Sequence, residues 1–119
     1  MSNLYGKGPR GKATMLHSQL VRLRGACERC GRSAGVKLEC AHIISRRYAS
    51  TRTDERNAWC LCSACHRRLT EWPFEHVAFA VATIGQETYD ELKAKALTIK
   101  KVDWEAEVVR LSALLREAA

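Results

Sequence analysis

The stretch NAWCLCSACHRRLTEW, Asn57 to Trp72, reads as a strand, a turn and a helix in sixteen residues. NAWCLC is short, apolar and bounded by polar residues, which suits a β-strand. SACHRRLTEW suits a helix that stops near Pro73, because a proline disfavours helical dihedrals in the residue before it. At the junction stands CSAC, Cys62 to Cys65, a pair of thiols two residues apart. Such a turn can aim both sulfurs at one metal ion, so the reading of the fold depends on whether a second pair exists.

It does. Cys27 and Cys30 form CERC, and together the two pairs offer four thiolates to one tetrahedral ion, which closes a structural zinc site. A redox C-x-x-C would need a thioredoxin-like βαβ setting, and nothing in the sequence supplies one. The chain has six cysteines and no secretion signal, which argues against disulfides and for a reducing, intracellular setting. Cys40 and Cys60 are left over, and small buried core thiols are the expectation for them. A chain of 119 residues has a thin core. A zinc ion can add on the order of 10 kcal/mol to its folding.

Upstream, VKLECAHII leans to β structure and is separated from NAWCLC by a polar connection rich in Arg, Ser and Thr, so an antiparallel pair is expected. A helix over Ala13–Arg24 is expected from Leu16, Leu20 and Leu23, with Gly25 where it stops. Residues 1–12 read as a flexible basic arm. Three helices are expected after Pro73. Phe74, Val77, Ala78, Val81 and Ile84 share a face of the first; Thr88 and Glu91 form a capping box for the second, with Tyr89, Leu92 and Ala96 inward. Asp103 caps the third, whose stripe is Trp104, Val108, Leu111 and Leu115. The expected fold is α+β, a single domain over 13–119 with its core at about 25–73 and a helical extension over 74–119. His17 and His76 read as packing or surface residues, and Trp59 and Trp72 as anchors.

Residues 1–70 hold 14 Lys/Arg against 4 Asp/Glu, and residues 71–119 hold 6 against 9. A basic half of this kind fits a polyanion, since each neutralised phosphate releases counterions. The acidic balance of the C-terminal helices favours packing or protein contact over DNA. No apolar run reaches the roughly 18 residues of a membrane span.

Zinc at the four cysteines would pin hairpin and helix together and bring His42, Asn57 and His66 within reach of one another. From Cys27 to about Pro73 this pattern resembles the zinc-braced, phage-type HNH endonucleases. His42 matches the first motif histidine, Asn57 the asparagine five residues before the second cysteine pair, and His66 the histidine directly after it. The resemblance implies a ββα-metal core and a DNA endonuclease or nickase acting on double-stranded DNA. It casts His42 as general base, Asn57 as a brace across the hairpin and His66 as ligand to a catalytic Mg²⁺, Mn²⁺ or other divalent metal, with His42 a second candidate ligand. It also implies a bacterial cytoplasm if the chain is phage-encoded, and phage packaging or recombination proteins as partners.

Arg46, Arg47, Arg52, Arg56, Arg67 and Arg68 flank the motif and can clamp phosphate, with Arg46 or Arg47 nearest the base. One position departs from the family pattern: where many members carry an Asp or His ligand directly before the base, this chain has Ala41. Glu39, Asp54 and Glu55 are conceivable substitutes. A zinc-stabilised nucleic-acid-binding module that does not cut is the rival reading.

Overall fold

The two strands are β1, Leu38–His42, and β2, Ala58–Cys62. They pair antiparallel, Leu38 opposite Cys62, Cys40 opposite Cys60 and His42 opposite Ala58. Alternation along the strands gives the sheet two chemically different faces. A two-stranded hairpin is marginal alone, and here both faces are covered. The computed structural model describes residues 6–118, with α1 at Gly8–Arg22, α2 at Ser63–Glu71, α3 at Pro73–Ile84, α4 at Gln86–Leu97 and α5 at Trp104–Ala118. The architecture is α+β, as expected. Among the described residues no helix is long and apolar enough to cross a membrane.

α1 lies on the Cys40 face, where Val21 packs against Ala58 and Cys60. The other face carries Ala41, Trp59 and Leu61, buried against Leu69 of α2 and Ala80 of α3. α5 runs along α1 and completes its apolar side: Leu111, Trp104, Val108 and Leu115 meet Ala13 and Leu16. Asp103 caps α5 as expected, accepting the Ala106 N–H at 3.0 Å.

Three expectations are corrected. Residues 8–12, read as part of a basic arm, open α1: Pro9 sits in the first turn, where its fixed φ and missing N–H cost nothing. Residues 1–5 of that arm lie outside the described residues. α3 does not bury the expected stripe. Ile84 packs on the core as expected, but Phe74 is 93 % exposed and Val77 is also exposed, while Ala80 is fully buried and Phe79 packs on the core. Finally, Thr88 lies inside α4, whose N-cap is Gly85 at φ 84°, so no capping box forms; Leu92 is buried as expected.

The fifteen residues between the strands contain two short 3-10 turns, Ala49–Thr51 and Glu55–Asn57. Asn57 holds them to β1. Its Oδ1 accepts the Ile44 N–H at 2.7 Å, and its Nδ2 donates to the carbonyls of Ile44 and Thr51 at 3.0 and 3.1 Å. Asn57 is fully buried, so Asn57→Ala strands three backbone groups away from water and is expected to cost about 2–4 kcal/mol. Urea denaturation checks this, and a loss under 1 kcal/mol would show that another contact holds the loop.

Candidate functional site

Four thiols converge at one end of the hairpin. Cys27 and Cys30 lie in a tight turn closed by Gly31 N–H to Cys27 O at 2.8 Å, with Gly31 in the left-handed region at φ 79°. Cys62 ends β2, and Cys65 sits in the first turn of α2. The four Sγ atoms lie within 4.8 Å of one another, with Cys30 and Cys62 at 3.8 Å. Zinc–sulfur bonds of about 2.3 Å at tetrahedral angles place sulfurs about 3.8 Å apart, so small side-chain rotations fit the donor set to zinc. Burial opposes ionisation of Cys27, but backbone N–H groups of Cys30, Cys62 and Arg29 aimed at its sulfur bring the thiol down to about 6. Such donors favour thiolate, the form that binds metal.

Beside this cluster a cleft of about 640 Å³ opens along the free edge of β1 between α1 and the α2–α3 pair. His42 lines it from the strand, His66 from α2 and His76 from α3. His42 Nε2 is 2.9 Å from the Arg52 carbonyl. A carbonyl only accepts, so Nε2 carries the proton and the lone pair lies on Nδ1. Burial pushes the ring's pKa down to about 4, against the pull of the Arg52 carbonyl and helped by the charges of Arg46 and Arg52. The imidazole is therefore neutral throughout the physiological range.

His66 has the complementary arrangement. Its Nδ1 donates to Glu39 Oε1 at 2.8 Å, and Ser63 Oγ donates to the other carboxylate oxygen at 2.9 Å. Burial opposes ionisation of Glu39, but these two hydrogen bonds hold its pKa below the usual carboxylate value. With Nδ1 occupied, Nε2 is left free to accept. A histidine whose other nitrogen is tied to a carboxylate is the recurrent form of a metal ligand.

Ala41 points away from this chemistry. It is 3 % exposed and packs with Trp59 and Leu69 in the core, so neither a ligand nor space for one exists there. Of the three conceivable substitutes, Asp54 is held by Arg56 and Lys95, and Glu55 by Arg110. Glu39 reaches the cleft only through His66.

The arginines divide in the same way. Arg56 is paired with Asp54 and Arg68 with Glu75. Arg46 lines the cleft, Arg47 lies over the Tyr48 ring and Arg67 is exposed on α2 near His66. Arg52 is pushed below the usual guanidinium range by burial, then by the charges of Arg10 and Arg46. Three guanidinium groups thus gather on the His42 side, and Arg52 Nε is buried with no partner among the described residues.

Two histidines read as packing residues belong to this region. His76 donates from Nε2 to the Ile43 carbonyl at 2.6 Å and sits edge-on to Trp59. His17 is fully buried on α1 with its ring 5.3 Å from that of His42. No local sequence signal marks either one.

Residues 27–71 match the family model described as HNH endonuclease, the family that the motifs resemble. The matched stretch holds both cysteine pairs, His42, Asn57 and His66, and supports a nuclease-type function in general. No curated protein and no solved structure matches the chain.

Proposed function

We propose that the protein is a metal-dependent DNA endonuclease or nickase that hydrolyses phosphodiester bonds in the β1-edge cleft. One observation carries this reading. His42 and His66 line the same cleft, and each has one ring nitrogen tied to an acceptor and the other left with its lone pair.

His42 Nδ1 would take the proton of a water molecule attacking phosphorus, a role suited to a neutral imidazole. Arg46, which lines the cleft, would draw the phosphate in, with Arg52 adding positive charge on the same side. Arg47 and Arg67 extend the basic surface along the strand. His66 Nε2 would hold a divalent metal, which when bound neutralises charge on the scissile phosphate and the leaving 3′ oxygen. One histidine is a sparse protein ligand set, but Mg²⁺ commonly keeps several waters and needs only one or two protein ligands. The products would be a 5′ phosphate and a 3′ hydroxyl. Zinc at the four cysteines would brace the hairpin against α2.

A plasmid nicking assay with Mg²⁺, Mn²⁺ or Ni²⁺ tests the reading. Relaxed and linear products are expected; tight DNA binding with no cleavage under any metal would leave the non-cutting module instead. His66→Ala is expected to keep fold and zinc and lose cleavage. Glu39→Gln keeps a hydrogen bond to Nδ1 but removes the charge behind it. It should raise the metal concentration for half-maximal cleavage by about 10–100-fold. An unchanged metal titration would mean that Glu39 does not support a metal ligand.

A further inference from the structure

We infer that His17, Cys40 and His42 form a second transition-metal site, distinct from the four-cysteine cluster, that takes a thiophilic ion such as Zn²⁺. One ring nitrogen of each histidine and Cys40 Sγ lie within 4.8 Å of one another. Cys40 Sγ is 3.9 Å from His17 Nδ1. A tetrahedral ion with bonds of about 2.0 Å to nitrogen and 2.3 Å to sulfur sets its ligands roughly 3.3–3.6 Å apart, so modest side-chain rotation closes the set.

The supports around the trio are those of a built site. His17 Nε2 is 3.1 Å from the Asp54 carbonyl, and His42 Nε2 is 2.9 Å from the Arg52 carbonyl. Both bonds fix the proton on Nε2 and leave Nδ1 free, and both come from the one loop between the strands. Backbone carbonyls that orient ligating histidines in this way are typical outer partners of metal sites. Cys40 and His42 share a face of β1 by alternation, and both line the cleft, so an ion can enter and keep a water as fourth ligand. The proposed hydrolysis uses neither His17 nor Cys40, so that reading gives no role to a fully buried imidazole set against a thiol.

The donor set decides the ion. Thiolate and imidazole favour Zn²⁺ and its neighbours, whereas Mg²⁺ prefers oxygen. Occupancy would take the Nδ1 lone pair of His42, so this ion should inhibit the cleavage that Mg²⁺ supports. The inhibition rests on the reading of His42 as base. The binding rests on geometry alone.

Cobalt titration separates the two. Protein carrying one equivalent of zinc in the cysteine cluster is titrated with Co²⁺, and the thiolate-to-cobalt charge-transfer band is followed. A second equivalent with one thiolate is expected, the band disappearing in Cys40→Ala and affinity falling at least tenfold in His17→Gln, with circular dichroism unchanged in both. Cobalt at His66 would give no thiolate band. Failure of the wild-type protein to develop the band, or its persistence in Cys40→Ala, would overturn the site. Because the readout is optical, it decides the site even if the protein cuts nothing. Where Mg²⁺-supported cleavage is present, micromolar Zn²⁺ should suppress it at least tenfold in the wild type and not in Cys40→Ala. Equal suppression in both would overturn the inhibitory role.

Discussion

Cys27→Ala and Cys65→Ala are each expected to unfold the domain. Cys27 belongs to a segment, residues 23–37, that contains no helix or strand. What ties that segment to the hairpin is local: Glu28 exchanges bonds with the Cys60 backbone, donating to its carbonyl at 2.8 Å and accepting its N–H at 2.6 Å, and Arg24 reaches the Ala58 carbonyl. The buried core is split into three small clusters, and the largest includes Cys27, Cys62 and Cys65 themselves. A domain of this size has a net stability of about 5–15 kcal/mol. A zinc contribution of about 10 kcal/mol is comparable to all of it. Removing one thiolate opens the tetrahedral shell and leaves three thiols, two of them buried, with no ion. Circular dichroism, melting temperature and zinc content check this, with Cys60→Ala as a control that should keep its zinc. A Cys27→Ala protein with native circular dichroism, an unshifted melt and no zinc would sink the structural role.

The elements that were legible in the sequence are those set by neighbours in the chain. The strand-to-helix junction at Cys62–Cys65, the strand at Leu38–His42 and the cap at Asp103 each depend on a few adjacent residues. The α3 face was not legible for a physical reason. That helix is apolar on most of its surface, so periodicity alone does not say which side turns inward. The choice is made by the Trp59 N–H bond to Thr83 Oγ1 at 2.9 Å and by the small side chain of Ala80, which lets the helix approach the sheet. The same limit applies at the site. His42, Asn57 and His66 were singled out by resemblance to the HNH motif, whose positions are counted from the cysteine pairs. The bond from Glu39 to His66 spans 27 residues and depends on β1 register against β2, and His17 meets Cys40 across 23. No local pattern announces either. Nor does any local pattern show that Asp54, two residues before Arg56, folds back on its guanidinium.

His42→Ala is expected to reduce cleavage by about 10²–10⁴-fold with zinc content and circular dichroism unchanged, the range usually lost with a general base. The pH dependence gives a sharper test because the direction follows from the environment of the ring. Burial holds the His42 pKa to about 4. At pH 5.5 such a ring is about 97 % neutral, whereas one at the ordinary value of about 6.5 would be about 9 % neutral. The active form is the neutral one, so lowering the pKa moves the acid limb of the profile downward. At saturating divalent metal, cleavage at pH 5.5 should therefore stay within about twofold of its value at pH 7. A tenfold fall over that interval would place an unperturbed histidine in control of the rate, and His42, half-buried beside His17 of α1 with its proton fixed toward Arg52, is not such a histidine. A low pKa also makes it a weak base, so hydrolysis would lean on the charge supplied at the phosphate by Arg46, Arg52 and the metal on His66. That dependence is what Ala41 makes consequential, since every oxygen or nitrogen ligand missing from the metal shifts more of the work onto the two arginines.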